Sequence, residues 1–470
     1  MRVEFCGILE GMTTPSAVLE QVEAKTIPGL RYGLWAYALK PWVKLGHPIL
    51  LFEYLQKTYG NLAMYNFLGT PIVYVNEPEW IKEILVTQSS AFEKERTVKR
   101  MKILLGEGLI TSEDPLHKRQ RRIAAPAFHR QRIAAYGDQI VEIAARQREQ
   151  WSDGQRIDIA ASSMGLSLEI VARTLFATEV TADIRSINDD TNTIMDLYNF
   201  IVAFPRIESF LHLPIPGIVK FRKAKARLDA VVNRLIREHR EGDGEDRGDL
   251  LSMLLSSRDD EGDHAGMSDE QVRDEVLTIF LAGYETVANA LTWTWYLLSQ
   301  HPEVEAKLHE ELDRVLGGRL PKLEDYSSLK YTEMVFAEAM RLYPPAWAMG
   351  RAATRPVQIG AYTIPQGAYV FFSQYMMHRD ARYFPDPLRF DPQRFTPEAK
   401  AGRPKFSYFP FGGGSRQCIG ESFAWMEGVF SVATIAQRWR MVYEGQGQPE
   451  LQAKITLRPK GAVAVRLVAR

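Results

Sequence analysis

The longest helical pattern in the chain begins at Ser268 and is apolar on nearly every face. Ser268 and Gln271 have the spacing of a capping box, in which each side chain hydrogen-bonds the backbone N–H of the other residue. No helix breaker except Gly283 follows until His301 and Pro302. Roughly thirty residues at about 1.5 Å each span about 45 Å. Because a helix that is apolar all round must be buried, the pattern predicts a central helix that crosses the whole domain.

Shorter segments show either a strand period or a helix period. Alternation on both sides of Gly69-Thr70 predicts a hairpin, and proline at position 78 predicts the first turn of a short helix. Strands are also predicted over residues 353–372 and 451–468. The sequence therefore predicts a mainly α fold with a minor β part, whose further helical patterns cover 119–151, 163–178, 250–255, 302–315, 331–342 and 422–438.

The domain organisation follows from where polar stretches fall. Residues 241–249 and 256–266 are polar and rich in Gly and Asp, which is typical of surface loops. Charge and composition do not otherwise shift, so these loops are expected inside one domain over residues 26–470, after a loose lead-in over residues 1–25. Either Met1 or Met12 fits as the start of the chain.

Composition excludes several classes of protein. The formal net charge is +0, so the whole molecule offers no electrostatic case for nucleic acid. Cys6 and Cys418 are the only cysteines, which argues against a disulfide framework and fits a reducing cytoplasm. No apolar run reaches the ~18 residues of a spanning helix, and the first 25 residues lack a signal-peptide core. We expect a cytoplasmic protein with no spanning membrane segment.

A glycine-rich loop from Phe411 to Gly420 holds Cys418. A thiolate is a soft, strongly donating ligand, and no second cysteine lies beside it to build a zinc or iron–sulfur site. One thiolate on a rigid loop suits an axial ligand of haem iron, with Phe411 shielding the sulfur from water. Arg416, two residues away, would favour the thiolate and could meet a haem propionate. The alternative interpretation is a buried cysteine beside a turn.

The pattern Phe-x-x-Gly-x-Arg-x-Cys-x-Gly over residues 411–420 resembles the haem signature of the cytochrome P-450 superfamily. The order of predicted elements resembles the family's fold from about residue 25 to the end. The resemblance implies a haem-thiolate monooxygenase of the bacterial kind. It also implies a single domain with a long central helix over haem b, Cys418 as the iron ligand, and Gly420 as the end of the haem-binding motif.

The centre of the long helix carries a motif that is unfavourable in an apolar helix. Glycine weakens a helix, and an unpaired carboxylate resists burial, so Gly283 and Glu285 at this place indicate a function. Ala282-Gly283-Tyr284-Glu285-Thr286 resembles the family's oxygen-activation motif. The resemblance implies that Gly283 opens a groove beside the iron, Thr286 holds oxygen and water there, and Glu285 feeds in protons. The alternative is a threonine bonded to a helix carbonyl and a glutamate in solvent.

Glu338 and Arg341 lie three residues apart on one predicted helix and can pair. The pair resembles the family's Glu-x-x-Arg, with Arg394 as third partner. The resemblance implies a buried charge network with a structural role, which fixes the segment leading to Cys418.

Four further residues are candidates for binding the haem propionates. His117 and Arg121 lie four residues apart on one helical face, and both can donate to a carboxylate. Many family members have tryptophan where this chain has His117, so Arg121 matches the pattern better. The resemblance also assigns Arg351 and Arg416 to the propionates.

The resemblance implies an electron donor and an oxidisable substrate as partners. Residues 94–122 are strongly basic, and in the family the matching helix flanks the side where an acidic ferredoxin or flavodoxin-type donor docks. The segments expected around the cavity, 99–108, 199–219 and 346–348, indicate an apolar substrate for reaction with dioxygen. Fatty acid, terpenoid and carotenoid stay open. A peroxygenase or isomerase on the same fold, and a non-catalytic haem-binding protein, are the alternative functions.

Overall fold

The computed structural model describes residues 25–30, 48–67, 69–178, 184–203, 211–241, 248–256 and 266–470. The predicted lead-in lies outside the described residues except for Lys25, and so does the choice between Met1 and Met12. The extent of the single domain stays a prediction.

Helices account for 58% of the structure, which confirms a mainly α fold with a minor β part. The patterns predicted over 163–178, 250–255, 302–315, 331–342 and 422–438, and the long helix from Ser268, each match a helix to within a few residues, whereas the helices over 184–203 and 216–240 were not predicted. The α-helices of the described residues are α1 Pro48–Tyr59, α2 Pro78–Lys82, α3 Arg96–Arg100, α4 Lys102–Leu105, α5 Leu116–Ala124, α6 Arg130–Glu149, α7 Ile159–Phe176, α8 Ile184–Ala203, α9 Pro216–Arg240, α10 Leu250–Ser256, α11 Asp269–Gln300, α12 Pro302–Leu316, α13 Lys330–Leu342, α14 Gln374–Met377, α15 Pro397–Ala401 and α16 Glu421–Ala436.

The strands form small sheets around the helical body. They are β1 Leu62–Phe67, β2 Thr70–Val75, β3 Phe92–Glu93, β4 Arg156–Asp158, β5 Met349–Ala353, β6 Val357–Ile359, β7 Tyr362–Ile364, β8 Tyr369–Phe372, β9 Trp439–Tyr443, β10 Leu451–Ala453, β11 Leu457–Pro459 and β12 Ala464–Ala469. The largest sheet has the order β1-β2-β8-β5-β3, and β1 and β2 form the hairpin predicted around Gly69.

The predicted central helix is α11, which packs against α7, α13 and α16. The Ser268 hydroxyl accepts from the Gln271 N–H, and the Gln271 side chain accepts from the Ser268 N–H, so the capping box is confirmed. Nearly all residues of α11 from Val272 to Leu298 are buried. Burial of this apolar surface on all sides stabilises the helix at the centre of the core.

The helical pattern over residues 119–151 is two helices rather than one. Helix α5 ends at Ala124, a 3-10 turn covers Ala125–Phe128, and α6 begins at Arg130. Pro126 lies in the turn, where its ring and missing N–H prevent a continuous α-helix. His117 and Arg121 of α5 line the cavity described below.

Helix α7 is the one described helix that is long and apolar enough to cross a membrane, with a mean hydropathy of 1.3. In the structure 61% of it is buried, and it packs on α11. Its apolar surface is therefore used in the core of the protein.

Candidate active site

The glycine-rich loop places the Cys418 sulfur at the edge of a cavity, immediately before α16. The Cys418 N–H donates to the Phe411 carbonyl at 3.0 Å, which closes the loop. The neighbouring protein desolvates the Cys418 thiol and raises its pKa to about 11, against the lowering effects of the Gly420 N–H and of Arg121. Cys418 is exposed and lines the cavity, so a ligand can reach the sulfur from there.

The cavity has a volume of about 410 Å³ and lies between this loop and the middle of α11. Its walls are mostly apolar, with leucine, isoleucine, valine, phenylalanine and methionine side chains from several helices. The structure brings together there all the predicted catalytic, haem-binding and iron-binding residues except Glu285, namely His117, Arg121, Ala282, Gly283, Thr286, Arg351, Phe411, Arg416, Cys418 and Gly420.

The predicted propionate-binding residues form a cationic rim on one side of the cavity. Arg121 donates to the Gln417 carbonyl at 2.7 Å, and Arg351 donates to the Gly350 carbonyl at 2.8 Å. Arg416 pairs with the carboxylate of Glu113. Burial and the neighbouring Arg416 lower the pKa of Arg351 to about 10, so it stays charged at neutral pH. The three arginines of the rim therefore carry more positive charge than the one carboxylate, Glu113, neutralises. This excess of positive charge suits an acidic ligand.

His117 differs from these arginines because it is neutral. Burial, and then the charges of Lys94 and Arg416, lower its pKa to about 4, although its Nδ1 lies 3.5 Å from Asp114. A neutral imidazole donates one hydrogen bond and contributes no charge.

Lys94 is a rim residue that the sequence analysis missed. It lines the cavity and is only 6% exposed, and its ammonium donates to the Leu109 carbonyl at 3.0 Å. Burial and Arg416 lower its pKa to about 7. The sequence analysis placed it in the basic stretch 94–122 beside the donor-docking side, whereas the structure buries it just after β3.

On α11, the oxygen-activation motif divides between two faces. Thr286 lines the cavity, and its hydroxyl donates to the Ala282 carbonyl at 2.8 Å. This is the bond to a helix carbonyl that the alternative interpretation predicted. Gly283 also lines the cavity and allows α7 to approach, because a Cβ there would lie 3.2 Å from Val171 Cγ2.

Glu285 is not among the described residues that line the cavity. It is 3% exposed, so it is not in solvent either, and the Thr456 hydroxyl donates to its Oε1 at 2.6 Å. Asn289, one turn later, donates to the Thr456 hydroxyl at 3.3 Å. Burial raises the pKa of Glu285 against the lowering effect of this hydrogen bond. Its role as proton donor stays a prediction, and no local sequence pattern marks Thr456, 171 residues away, as its partner.

The predicted charge network is assembled as expected. Arg341 holds the Glu338 carboxylate with two hydrogen bonds of 2.6 and 2.7 Å, and both side chains are fully buried. The third partner is close, since Arg394 Nε lies 3.5 Å from Glu338 Oε1. Arg341 also donates to the carbonyls of His378 and Pro387, on the segment that leads to Cys418.

Comparisons with known proteins agree with this geometry. The family model described as Cytochrome P450 matches residues 28–465. Cyclooctatin synthase of Streptomyces melanosporofaciens is 38% identical over 82% of this chain and 83% of its own length. From the same organism, cyclooctat-9-en-7-ol 5-monooxygenase is 37% identical over 84% and 87%. Pentalenene oxygenase of Streptomyces avermitilis is 33% identical over 91% and 94%. The chain therefore belongs to the cytochrome P450 family.

A solved structure, the haem domain of cytochrome P450DA, superposes with a TM-score of 0.83 at 24% identity, over 95% of this chain and 98% of that one. The likeness confirms the predicted fold. As a family member the chain is an oxidoreductase, a monooxygenase that uses haem, dioxygen, redox partners and an apolar substrate. The residues present fit haem, because a thiol donor faces the cavity, cations form its rim and apolar side chains form its walls.

Proposed function

We propose that this chain is a haem-thiolate monooxygenase that oxidises a terpenoid, with Cys418 as the iron ligand. The observation that carries the proposal is the Cys418 sulfur facing a largely apolar cavity whose opposite wall is the oxygen-activation motif of α11. Burial disfavours a free thiolate at this place, so iron binding is what would keep the sulfur deprotonated. Cys418→Ser should abolish the thiolate-type Soret band of the reduced, carbon monoxide-bound protein, and retention of that band would refute the assignment.

The cofactor is proposed to be haem b, held without covalent attachment. The two cysteines are far apart in sequence, so the paired cysteines of a c-type haem site are not present. Arg121, Arg351 and Arg416 would hold the propionates through charge-assisted hydrogen bonds, and neutral His117 would add one donor. Extraction of the haem into acidic organic solvent tests the proposal, because covalently attached haem would stay with the protein.

Haem, when bound, supplies the iron at which dioxygen is reduced and from which one oxygen atom passes to the substrate. Thr286 is proposed to hold a water molecule beside that position, because its hydroxyl is already oriented by the Ala282 carbonyl. Glu285 is proposed to supply protons from behind this face of the helix. Thr286→Ala should consume electrons with little product, whereas Thr286→Ser keeps the hydroxyl and should keep the coupling. Equal coupling in both variants would contradict the role.

The terpenoid class is proposed from the relatives and from the cavity. Two relatives are named for the oxidation of cyclooctat-9-en-7-ol and of pentalenene. In this chain, apolar side chains such as Ile279, Val287 and Met340 line the cavity. Such side chains select a substrate by its shape. Titration of the ferric protein with terpenoids, fatty acids and carotenoids, followed by the Soret band, tests the class. A shift to high spin only with fatty acids or carotenoids would overturn it.

The electron donor is proposed to be a ferredoxin-type protein that docks beside α5. Lys94 and Arg100 of the basic stretch are buried, so the docking surface is smaller than the sequence indicated. Lys118, whose side chain is 64% exposed, and Arg122 stay on the surface of the helix whose Arg121 contacts the thiolate loop. Charge reversal at 118 and 122 should slow reduction at low salt and have little effect at high salt. No effect at low salt would place the donor elsewhere.

The cytoplasmic location remains a prediction. Fractionation of cells that express the full chain tests it, and recovery in the membrane fraction would contradict it.

A further inference from the structure

A short strap, residues 106–112, lies along the first half of α11 and forms part of the cavity wall. Its residues Leu109 and Ile110 line the cavity. The strap lies very close to the helix, because a Cβ on Gly108 would lie 2.1 Å from Thr278 Oγ1 and 2.7 Å from the Asp274 carbonyl oxygen. The walls that a bound molecule meets therefore depend on how this strap is held.

Two neighbouring carboxyl groups of α11 hold the strap by its backbone. Asp274 accepts from the Glu107 N–H at 2.8 Å, and Glu275 accepts from the Leu109 N–H at 3.1 Å. Only the second contact falls on a residue that lines the cavity. The Leu109 carbonyl accepts from Lys94 at 3.0 Å, so both backbone polar groups of Leu109 are fixed by buried side chains.

Glu275 is 0% exposed, which is costly for a carboxyl group without an ion pair. Burial, together with Asp274, raises its pKa to about 8, against the lowering effects of the Leu109 N–H and of Lys94. At neutral pH the group is therefore mostly an uncharged acceptor of a backbone hydrogen bond. A glutamine at this position has the same length and the same acceptor, and it is a close substitute.

We propose that Glu275 is a positioning residue that sets the shape of the cavity, and with it the selectivity for bound molecules, by holding Leu109 and Ile110 at a fixed distance from α11. It acts through the strap and does not touch the substrate. The proposal rests on the proposed function only in placing haem and substrate in this cavity. In this proposal the length of the Glu275 side chain sets the position of the strap, and its charge does not.

A pair of substitutions separates length from charge. Glu275→Gln keeps the length and removes the ionisable carboxyl group, whereas Glu275→Asp keeps a carboxyl group and shortens the reach by one methylene, about 1.5 Å. Asp274→Asn is the matched control. Asp274 also holds the strap, but through the N–H of Glu107, which does not line the cavity. All three changes are small, and Glu275→Gln and Glu275→Asp each keep a polar acceptor in the buried site.

The probes are imidazole and 4-phenylimidazole, whose nitrogen binds haem iron and shifts the Soret band to longer wavelength. The ratio of their dissociation constants reports the room above the iron, and imidazole alone reports whether the haem site is intact. We expect Glu275→Asp to change this ratio by about fivefold or more, and Glu275→Gln and Asp274→Asn to leave it within about twofold.

A changed ratio in Glu275→Gln with an unchanged ratio in Glu275→Asp would overturn the proposal, because charge would then control the cavity. An unchanged ratio in both would overturn it as well. If Glu275→Asp does not retain haem, Ile110→Ala combined with Glu275→Gln decides the matter. The ratio in the double variant should equal that of Ile110→Ala alone, and any further change refutes the length argument. Failure of every terpenoid to shift the spin state of the wild-type protein would contradict the proposed substrate and leave this azole test intact.

Discussion

Replacing Arg341 by lysine tests how firmly the charge network holds the segment that leads to Cys418. Arg341 donates five hydrogen bonds, two to the Glu338 carboxylate and three to backbone carbonyls, of His378, Pro387 and Arg389. An ammonium group has at most three donors, so at least two acceptors lose their partner. Each unmet buried acceptor costs about 1–3 kcal/mol, and lysine should therefore lower the free energy of unfolding by about 2–6 kcal/mol.

The assay is guanidinium unfolding of the holoprotein, followed both by tryptophan fluorescence and by the Soret band. Haem release should come early in the variant, because His378 Nε2 accepts from the Phe409 N–H at 3.0 Å and so connects the network to the thiolate loop. Arg394→Lys is the control. Arg394 lies 3.5 Å from Glu338 and donates to the Asp386 carbonyl at 2.9 Å, and a lysine can keep the charge and supply one such donor, so it should cost less than about 1 kcal/mol. An Arg341→Lys variant within about 0.5 kcal/mol of wild type would refute the reasoning.

Three further substitutions test buried contacts of the core. Burial raises the pKa of Glu427 to about 8, with Ser167 as its hydrogen-bond partner. The folded state thus keeps a proton that the unfolded chain releases, and stability falls by up to about 1.4 kcal/mol per pH unit between the two pKa values. Glu427→Gln should gain relative stability from about pH 5 to about pH 8 in guanidinium unfolding, and a constant difference would contradict the shift. Gly428→Ala should destabilise by about 1–3 kcal/mol, because its Cβ would lie 2.2 Å from Phe336 Cζ. Phe336→Leu in the same chain should recover part of that loss, and no recovery would place the strain elsewhere. Thr456→Val should cost about 1–3 kcal/mol because it removes the donor to Glu285, whereas Thr456→Ser should not, and equal unfolding midpoints would show that the contact contributes nothing.

Features carried by neighbouring residues were predictable from the sequence. The capping box at Ser268, the hairpin around Gly69 and the loop around Cys418 are each specified within a few residues, by local hydrogen bonds and turn preferences. The pairing of Glu338 with Arg341 follows from helix geometry in the same way.

Contacts between distant segments were not predictable in this way. Thr456 meets Glu285 only because the β10–β11 hairpin packs against α11, and a single sequence does not encode that approach in a local pattern. Lys94 was misplaced for a related reason. A basic residue in a basic stretch is normally solvated, and here tertiary structure turns it into the cavity.

The geometry of α11 limits how Glu285 and Thr286 can act together. Consecutive residues of an α-helix point about 100° apart, so an acid and an alcohol next to each other in sequence can face different surroundings. Thr286 faces the cavity, while Glu285 shares another face of the helix with Asn289 and contacts Thr456. A proton from Glu285 can therefore reach the cavity only if its side chain rotates away from Thr456 or if water bridges the two faces. The Thr456 contact opposes rotation, so on the rotation route of the proposed role the strength of that one hydrogen bond should govern the proton supply. Thr456→Ser with Thr456→Val is the pair that separates its effect from packing.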